Sequence, residues 1–214
     1  MVSPQSTFQN LPPEKQERVV SAALAEFADK GYHQASVNTM VSASGIAKGS
    51  IYQYFKDKKS LFLYIFDWAI GVVRDTLVGV KDATREEDFF TRVEKSLLAG
   101  VDFIRRHPRL YGLYLKILFD RHTPRREELL KAVRRFAAEY LGSLVREGLA
   151  RGELRPDLPA PAAIFLLDAL LDRFLQAVAL PSFDVTLGLD QAEEDELRRR
   201  VQELVGLLRQ GMAA

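Results

Sequence analysis

Residues 36–55 read SVNTMVSASGIAKGSIYQYF and decide the fold of the N-terminal part of the chain. Their spacing predicts two short helices, about Val37 to Ser44 and Lys48 to Phe55, joined by a tight turn. Ser36 precedes the first helix as a predicted N-cap. Gly45 stands where the chain has to turn sharply, because glycine adopts a positive φ at little cost. The stretch therefore predicts a helix-turn-helix.

The apolar residues of this stretch recur where two packed helices need them. Met40 and Val41 are predicted to face the core from the first helix, and Ile46 to fill the angle between the helices. Ile51 and Phe55 lie four residues apart, so they share one face of the second helix and are predicted to be its buried side. The other positions of the second helix are left for solvent or a partner.

The predicted outer face of the second helix carries polar and aromatic groups. Lysine and tyrosine side chains bind phosphates, and a glutamine amide reads an adenine edge in the major groove. From Ser44 to Ser60 four lysines stand against one aspartate, a local net charge of +3 that the whole-chain value of +1 conceals. A solvated surface is the alternative for one such helix alone, and the complete pattern favours DNA. The predicted DNA-binding residues are Ser36, Val37, Lys48, Gly49, Ser50, Tyr52, Gln53, Tyr54 and Lys58.

Helical periodicity dominates the rest of the chain, and no segment shows a run of alternating apolar and polar residues. Pro12 and Pro13 open a helix that ends at Gly31. Asp57 is predicted to cap a long fourth helix from Lys58 to about Val80. Five more helices bring the total to nine, so the predicted fold class is all-α, with no sheet. The five begin near Glu86, Pro108 and Pro124, at about Pro161, and ahead of Leu197.

Composition narrows the class of protein. The chain has 214 residues and no cysteine, which excludes disulfides and thiolate metal sites and is consistent with the cytoplasm. Residues 1–11 carry no signal-peptide pattern. The most apolar stretch, Ala162 to Leu180, contains Asp168, Asp172 and Arg173, which are costly in lipid, so it is predicted to be a buried helix. His33, His107 and His122 have no partner at metal-ligand spacing, and no cofactor is expected.

Two segments resemble the DNA-binding signature of the tetracycline-repressor (TetR) family. They are GIAKGSIYQYFKDK at residues 45–58 and the approach from Ala22 to Tyr32. The resemblance implies that the second helix of the motif enters the major groove and that Lys58 meets a phosphate. Two departures stand out: Ala47 replaces a frequent capping hydroxyl, and Met40-Val41 replaces the usual isoleucine-alanine pair.

The resemblance also implies a division of labour along the chain. We expect a three-helix DNA-binding domain at residues 1–58 and a six-helix ligand-binding and dimerisation domain at residues 59–214, with the boundary within the fourth helix. A pocket for an apolar or aromatic small molecule is implied among the middle helices. For each aromatic residue there, core packing is the alternative to ligand binding. The candidates are Trp68, Phe103, Tyr111, Tyr114, Phe119, Phe136, Tyr140 and Phe174.

The helix from Ala162 to Leu180 is apolar almost all round, which a monomer would struggle to hide. We therefore expect a homodimer through the last two helices, holding two recognition helices against a near-palindromic operator. Asp168 and Asp172 form a polar stripe at an interface or in solvent, or else charge a ligand cavity, and either role predicts a partner.

The predicted function is a transcriptional repressor that a small apolar or aromatic effector releases from DNA. A ligand-sequestering protein with a vestigial helix-turn-helix is the second hypothesis, although it leaves the outer face of residues 36–58 unexplained. An all-helical enzyme is the third, and no nucleophile–base pair, metal cluster or phosphate loop in the sequence supports it.

Overall fold

A computed structural model describes residues 6–47 and 49–214, and these contain ten α-helices and no strand. A single bridge pairs Leu154 with Ala213. A 3₁₀ turn, Pro181–Phe183, follows the ninth helix. The all-α prediction is confirmed. The α-helices are α1 Ser6–Gln9, α2 Pro13–Gln34, α3 Val37–Ser44, α4 Ser50–Tyr54, α5 Lys58–Ala83, α6 Phe89–Arg106, α7 Pro108–Phe119, α8 Arg126–Ala150, α9 Ala160–Ala179 and α10 Glu194–Met212.

The tenth helix is a single turn, α1, ahead of the nine predicted from sequence. It forms because Phe8 is completely buried, with its ring 5.0 Å from that of Phe55 and 5.5 Å from that of Tyr64. Burial of an aromatic side chain stabilises a short segment that has little helical preference of its own. The predicted count of nine was therefore one too low.

The helical geometry of α2 is interrupted at the predicted place. Gly31 has φ 69° and ψ 177°, a conformation that only glycine adopts readily. Gly31 therefore forms a kink in α2, and helical residues 32–34 follow it before α3 begins at Val37. The glycine marks the end of the regular part of α2.

The described chain divides into two compact units. The first contains the described residues up to Arg74 together with His107–Ala132. Within it, α2 packs on both α3 and α7. Its core includes Phe27, Phe62 and Ile65, of which Phe27 and Ile65 have no exposed surface. Helix α2 therefore contacts the helix-turn-helix through α3 and also packs on α7.

The second unit contains Asp75–Arg106 and Val133–Ala214. Here α6 packs on α9 and on α10. Its core residues include Leu97, Val145 and Val201, each at most 1% exposed. The two compact units do not coincide with the predicted DNA-binding domain, residues 1–58, and regulatory domain, residues 59–214. The functional boundary between residues 58 and 59 stays a prediction.

No helix among the described residues has both the length and the apolar character that crossing a membrane requires.

Candidate nucleic-acid interface

The first helix of the motif is capped as the sequence predicts. The backbone N–H of Thr39 donates to Ser36 Oγ at 3.4 Å, and the N–H of Ser36 donates to Glu26 Oε1 at 2.9 Å. The Ser36 side chain is therefore committed to the helix end. A contact between Ser36 or its neighbour Val37 and DNA, which was predicted from the sequence, stays a prediction.

The turn between α3 and α4 has the predicted left-handed residue. Gly45 has φ 66° and ψ 26°, and its N–H donates to Ser42 O at 3.4 Å. Ile46 beyond it is 8% exposed, consistent with its filling the angle between the helices. Met40 and Val41 are buried at 2% and 7%, so the predicted core side of α3 is confirmed.

Helix α4 begins two residues later than predicted, at Ser50. Gly49 precedes it, and no side-chain hydrogen bond caps this end. Ala47, where a capping hydroxyl is frequent in the family, supplies only its carbonyl oxygen, which accepts from the N–H of Ser50 at 2.9 Å. The N-cap position is Gly49, which has no side chain, so the start of α4 has no side-chain cap among the described residues.

The two faces of α4 are clearly distinguished by exposure. Ile51 and Phe55 are 3% and 2% exposed, which confirms the predicted inner face. Tyr52 is 55% exposed and Gln53 is also exposed, so their side chains are available to a partner. A phenol and an amide therefore project side by side from this helix, next to the exposed Gly49.

The sequence places Tyr54 on the outer face of α4, and this placement is wrong. It is only 6% exposed, and its ring centroid lies 5.7 Å from that of Phe8. Tyr54 follows Ile51 by three residues, a spacing that places it on the buried side of a helix. Its predicted contact with DNA stays a prediction, limited to the small part of the side chain that remains accessible.

Helix α1 braces the recognition helix, a role that the sequence analysis missed. Thr7 Oγ1 donates to Gln53 O at 2.6 Å, while Phe8 packs on Tyr54 and Phe55. The one available signal was a lone phenylalanine in an otherwise polar N-terminal segment. These contacts hold the C-terminal end of α4 in place, while the side chains of Tyr52 and Gln53 remain exposed.

Lys58 is held in place by the end of α2. Its ammonium donates to His33 O at 3.2 Å and Ala35 O at 3.1 Å, and lies 4.7 Å from the centroid of the Tyr32 ring. An ammonium group has three N–H donors, and two of them are used by these carbonyl oxygens. Lys58 therefore caps the C-terminal end of α2 and places a positive charge beside the helix-turn-helix. The contact between Lys58 and a phosphate stays a prediction.

The start of α5 is closed by a reciprocal cap. The N–H of Ser60 donates to Asp57 Oδ1 at 2.7 Å, and the N–H of Asp57 donates to Ser60 Oγ at 3.0 Å. The backbone hydrogen bond from Ser60 lowers the pKa of Asp57. The predicted capping role of Asp57 is confirmed. With the exposed Lys56 and Lys59, this corner of the described chain is basic.

One predicted DNA-binding residue, Lys48, lies outside the described residues.

The predicted ligand-binding aromatics fall into two groups. Phe103, Phe136, Tyr140 and Phe174 belong to the second unit, whereas the other four belong to the first. Tyr140 and Phe174 are buried at 8% and 3%. Phe119 is 54% exposed. Their role in binding a ligand stays a prediction. The four in the first unit are Trp68, Tyr111, Tyr114 and Phe119.

The partner predicted for Asp168 and Asp172 is present. Arg134 on α8 donates from Nη1 to Asp168 Oδ1 at 3.0 Å and from Nη2 to Asp172 Oδ1 at 3.0 Å. Gln176 adds a hydrogen bond to Asp172 Oδ2 at 2.9 Å. The two carboxylates are therefore joined to α8 by one guanidinium.

Comparison with known proteins places both halves of the chain in one group. Residues 19–65 match the family model "Bacterial regulatory proteins, tetR family", and residues 87–213 match "Tetracyclin repressor-like, C-terminal domain". The chain is 24% identical over 164 residues to a probable acrEF/envCD operon repressor of Escherichia coli K12, covering 75% of this chain and 74% of that protein. It is 27% identical over 164 residues to a fatty acid metabolism regulator protein of Bacillus subtilis 168, covering 74% and 80%.

Two solved structures are similar to this chain over more than nine-tenths of its length. A TetR family transcriptional regulator from Chloroflexus aurantiacus J-10-FL is 31% identical, with 99% of each chain covered and a TM-score of 0.71. The regulator FadR from Bacillus subtilis, in complex with stearoyl-CoA, is 18% identical, covering 91% of this chain and 98% of that one with a TM-score of 0.72. At that identity the second similarity concerns the fold alone.

Proposed function

Since the chain belongs to the TetR family of bacterial transcriptional regulators, we propose that it represses transcription from a near-palindromic operator and leaves that operator when a small apolar or aromatic ligand binds. Membership of the family makes the chain a DNA-binding regulator and not an enzyme. The observation that carries the proposal is α4, whose Ile51 and Phe55 are buried while Tyr52 and Gln53 face outward.

The contacts with DNA divide into positioning and reading. Tyr52 and Lys58, together with Lys48, bind backbone phosphates, which orient a helix without reading sequence. Gln53 reads a base edge in the major groove. Gly49 and Ser50, at the start of α4, allow the DNA backbone to approach closely. Ser36 and Val37 contribute from the start of α3.

A homodimer presents two such helices to DNA. Phe165 and Leu166 on α9 are 74% and 50% exposed, and Leu207 on α10 is 66% exposed. Large exposed apolar side chains mark an interaction surface, and a two-fold axis lets the same surface serve both protomers. The proposed interface therefore uses the last two helices. Half-sites then lie about one DNA turn apart, about 10 base pairs.

Release follows if the effector prefers a conformation in which the two recognition helices have the wrong spacing. The Bacillus subtilis relative is a fatty acid metabolism regulator protein. Its description favours an effector with an apolar body. We place its site in the C-terminal part of the chain and the action of the protein in the cytoplasm.

Binding-site selection from random duplexes tests the proposal. The wild-type protein is expected to enrich a near-palindrome, and the logarithm of its binding constant should fall linearly with the logarithm of the salt concentration. Stearoyl-CoA, octanoate and phenylacetate are then added to the selected duplex, and at least one is expected to release it. Enrichment of no sequence, or a salt-independent affinity, would contradict the proposal.

Two variants of α4 separate its roles. Gln53→Ala should relax the preference at one base pair of each half-site, because the amide reads that base. Tyr52→Ala is the matched control: it should weaken binding to all duplexes and leave the selected motif unchanged. If Gln53→Ala returned the wild-type motif, the base-reading role would have to be withdrawn.

A further inference from the structure

Arg92, on the second turn of α6, is a buried arginine with one edge unused. Its side chain is 2% exposed, and Nη1 donates to Glu147 Oε2 at 2.7 Å. Nε and Nη2 are also buried, and neither finds a hydrogen-bond partner among the residues that the structure describes. These two nitrogens form one planar edge of the guanidinium, the fork that fits a carboxylate with two parallel hydrogen bonds.

Two buried hydroxyl groups lie beside this arginine. Ser96, one turn further along α6, donates from Oγ to Arg92 O at 2.7 Å. The same Oγ lies 2.7 Å from Tyr140 Oη, and the two residues are 3% and 8% exposed. Arg92 is close enough to Tyr140 to influence its ionisation, while burial raises the pKa of the phenol and keeps it neutral. Because Ser96 donates to the Arg92 carbonyl, Tyr140 donates to Ser96 Oγ, so both hydroxyl hydrogens are used within this cluster. The two neutral side chains therefore add no charge beside the guanidinium.

The local charge is unbalanced by one. Glu147 is shared between Arg92 and Lys81, whose Nζ lies 3.3 Å from Glu147 Oε1. Two cations thus face one carboxylate. The hydrogen bond from Arg92 lowers the pKa of Glu147, so that carboxylate stays ionised. A single further negative charge would complete the pairing.

Around the polar cluster the second unit is apolar. Val93 and Leu97 on α6 belong to the same buried cluster as Tyr140 and Leu144 on α8. A guanidinium edge left without a partner in such surroundings costs folding free energy. An occupant that satisfies it would remove that cost.

We propose that the Nε–Nη2 edge of Arg92 binds the carboxylate of an organic acid with an apolar body, and that this acid is the effector. The inference rests on the proposed function, because it names the chemical class of the ligand that releases DNA. A monocarboxylate supplies the one missing charge and matches the fork. A phosphate monoester carries nearly two negative charges, more than this cluster balances.

Calorimetric titration of the full-length protein tests the inference. The probes are hexanoate, octanoate, decanoate and phenylacetate, each compared with its own primary amide, which has the same body and no charge. At least one acid is expected to bind more tightly than its amide by about tenfold or more, because a charge-assisted fork is lost in the amide. Equal affinity of acid and amide, or no binding of any acid, would overturn the inference.

Substitutions assign the discrimination to the arginine. Arg92→Lys keeps a cation opposite Glu147 and loses the fork, so the preference for acid over amide should fall. Arg92→Met combined with Glu147→Gln removes both charges together and should abolish the preference without leaving an unpaired charge. Arg106→Met is the matched control, since it removes an exposed arginine from the same helix and the same unit. A preference that survives in both Arg92 variants would show that the acid binds elsewhere.

The test is independent of DNA binding. Operator affinity without ligand is measured by gel shift on the same preparations, and the Arg92 variants should retain it. If the protein bound no operator but kept the arginine-dependent preference for acids, the proposed function would fail and the carboxylate site would stand. Operator binding with no carboxylate preference would give the reverse result.

Discussion

Phe8→Ala tests whether α1 holds the recognition helix in place. Phe8 is completely buried, and its ring contacts those of Tyr54, Phe55 and Tyr64 at centroid distances of 5.7, 5.0 and 5.5 Å. Removing the ring leaves a cavity beneath α4. The hydrogen bond from Thr7 to Gln53 O, on the same short helix, should be lost with it.

The expected cost follows from the burial and the place of α1 in the chain. Truncating a buried phenylalanine to alanine costs about 3–5 kcal/mol. Because α1 has only four residues, it can undock by itself, and the free energy of that local opening limits the loss. We therefore expect the lower end, about 3 kcal/mol. With a typical urea dependence, the unfolding midpoint falls by about 1–2 M.

Urea unfolding followed by tryptophan fluorescence measures this change. The chain has one tryptophan, Trp68, and it belongs to the same compact unit as Phe8. All variants are compared at one protein concentration, because dimerisation links stability to concentration. Val185→Ala, at a side chain that is 94% exposed, is the control and should stay within about 0.5 kcal/mol of wild type. A Phe8→Ala midpoint equal to that of the control would refute the reasoning.

Three other changes have expected outcomes. Gly31→Ala puts a side chain at φ 69°, ψ 177° and should lower the free energy of unfolding by about 1–3 kcal/mol in urea titration, whereas Gly79→Ala inside α5 should raise it by up to about 1 kcal/mol; equal effects would contradict the strain. Lys58→Met removes the cap on α2, so the free energy of unfolding should fall by about 1 kcal/mol. It also removes the proposed phosphate contact, so the magnitude of the slope of log affinity against log salt should fall by about 1. An unchanged slope would show that Lys58 caps α2 and does not contact a phosphate. Backbone N–H groups of the following loop lower the pKa of Asp184 from 3.8 to about 2, so its stabilisation is complete above pH 3.8 and is lost as the pH falls toward 2; Asp184→Asn should flatten acid unfolding in that window, measured by circular dichroism, and the exposed Asp190→Asn should not.

Much of the interface could be predicted because its signals are local. The cap at Ser36, the left-handed turn at Gly45 and the buried pair Ile51 and Phe55 each depend on residues within about one helical turn. The structure confirms all three. The burial of Tyr54 is also a local matter, because its spacing of three residues from Ile51 indicates the buried side, whereas its phenol has the chemistry of a DNA contact.

Contacts between residues far apart in sequence were beyond such reasoning. Asp168 and Asp172 were predicted to need a partner, but only the fold identifies it as Arg134 on another helix. In the same way, the burial of Arg92 depends on α8 bringing Glu147 and Tyr140 to α6.

The sequence by itself determined the helical class, the helix-turn-helix and the burial of Ile51 and Phe55, because hydrophobic period, caps and turn glycines act between near neighbours. The tertiary structure decided that α1 covers Tyr54, that α7 joins the unit of the helix-turn-helix and that Lys58 caps α2. These outcomes depend on which apolar faces and charged groups of distant segments pack together, and that choice minimises the free energy of the whole chain rather than of any one stretch.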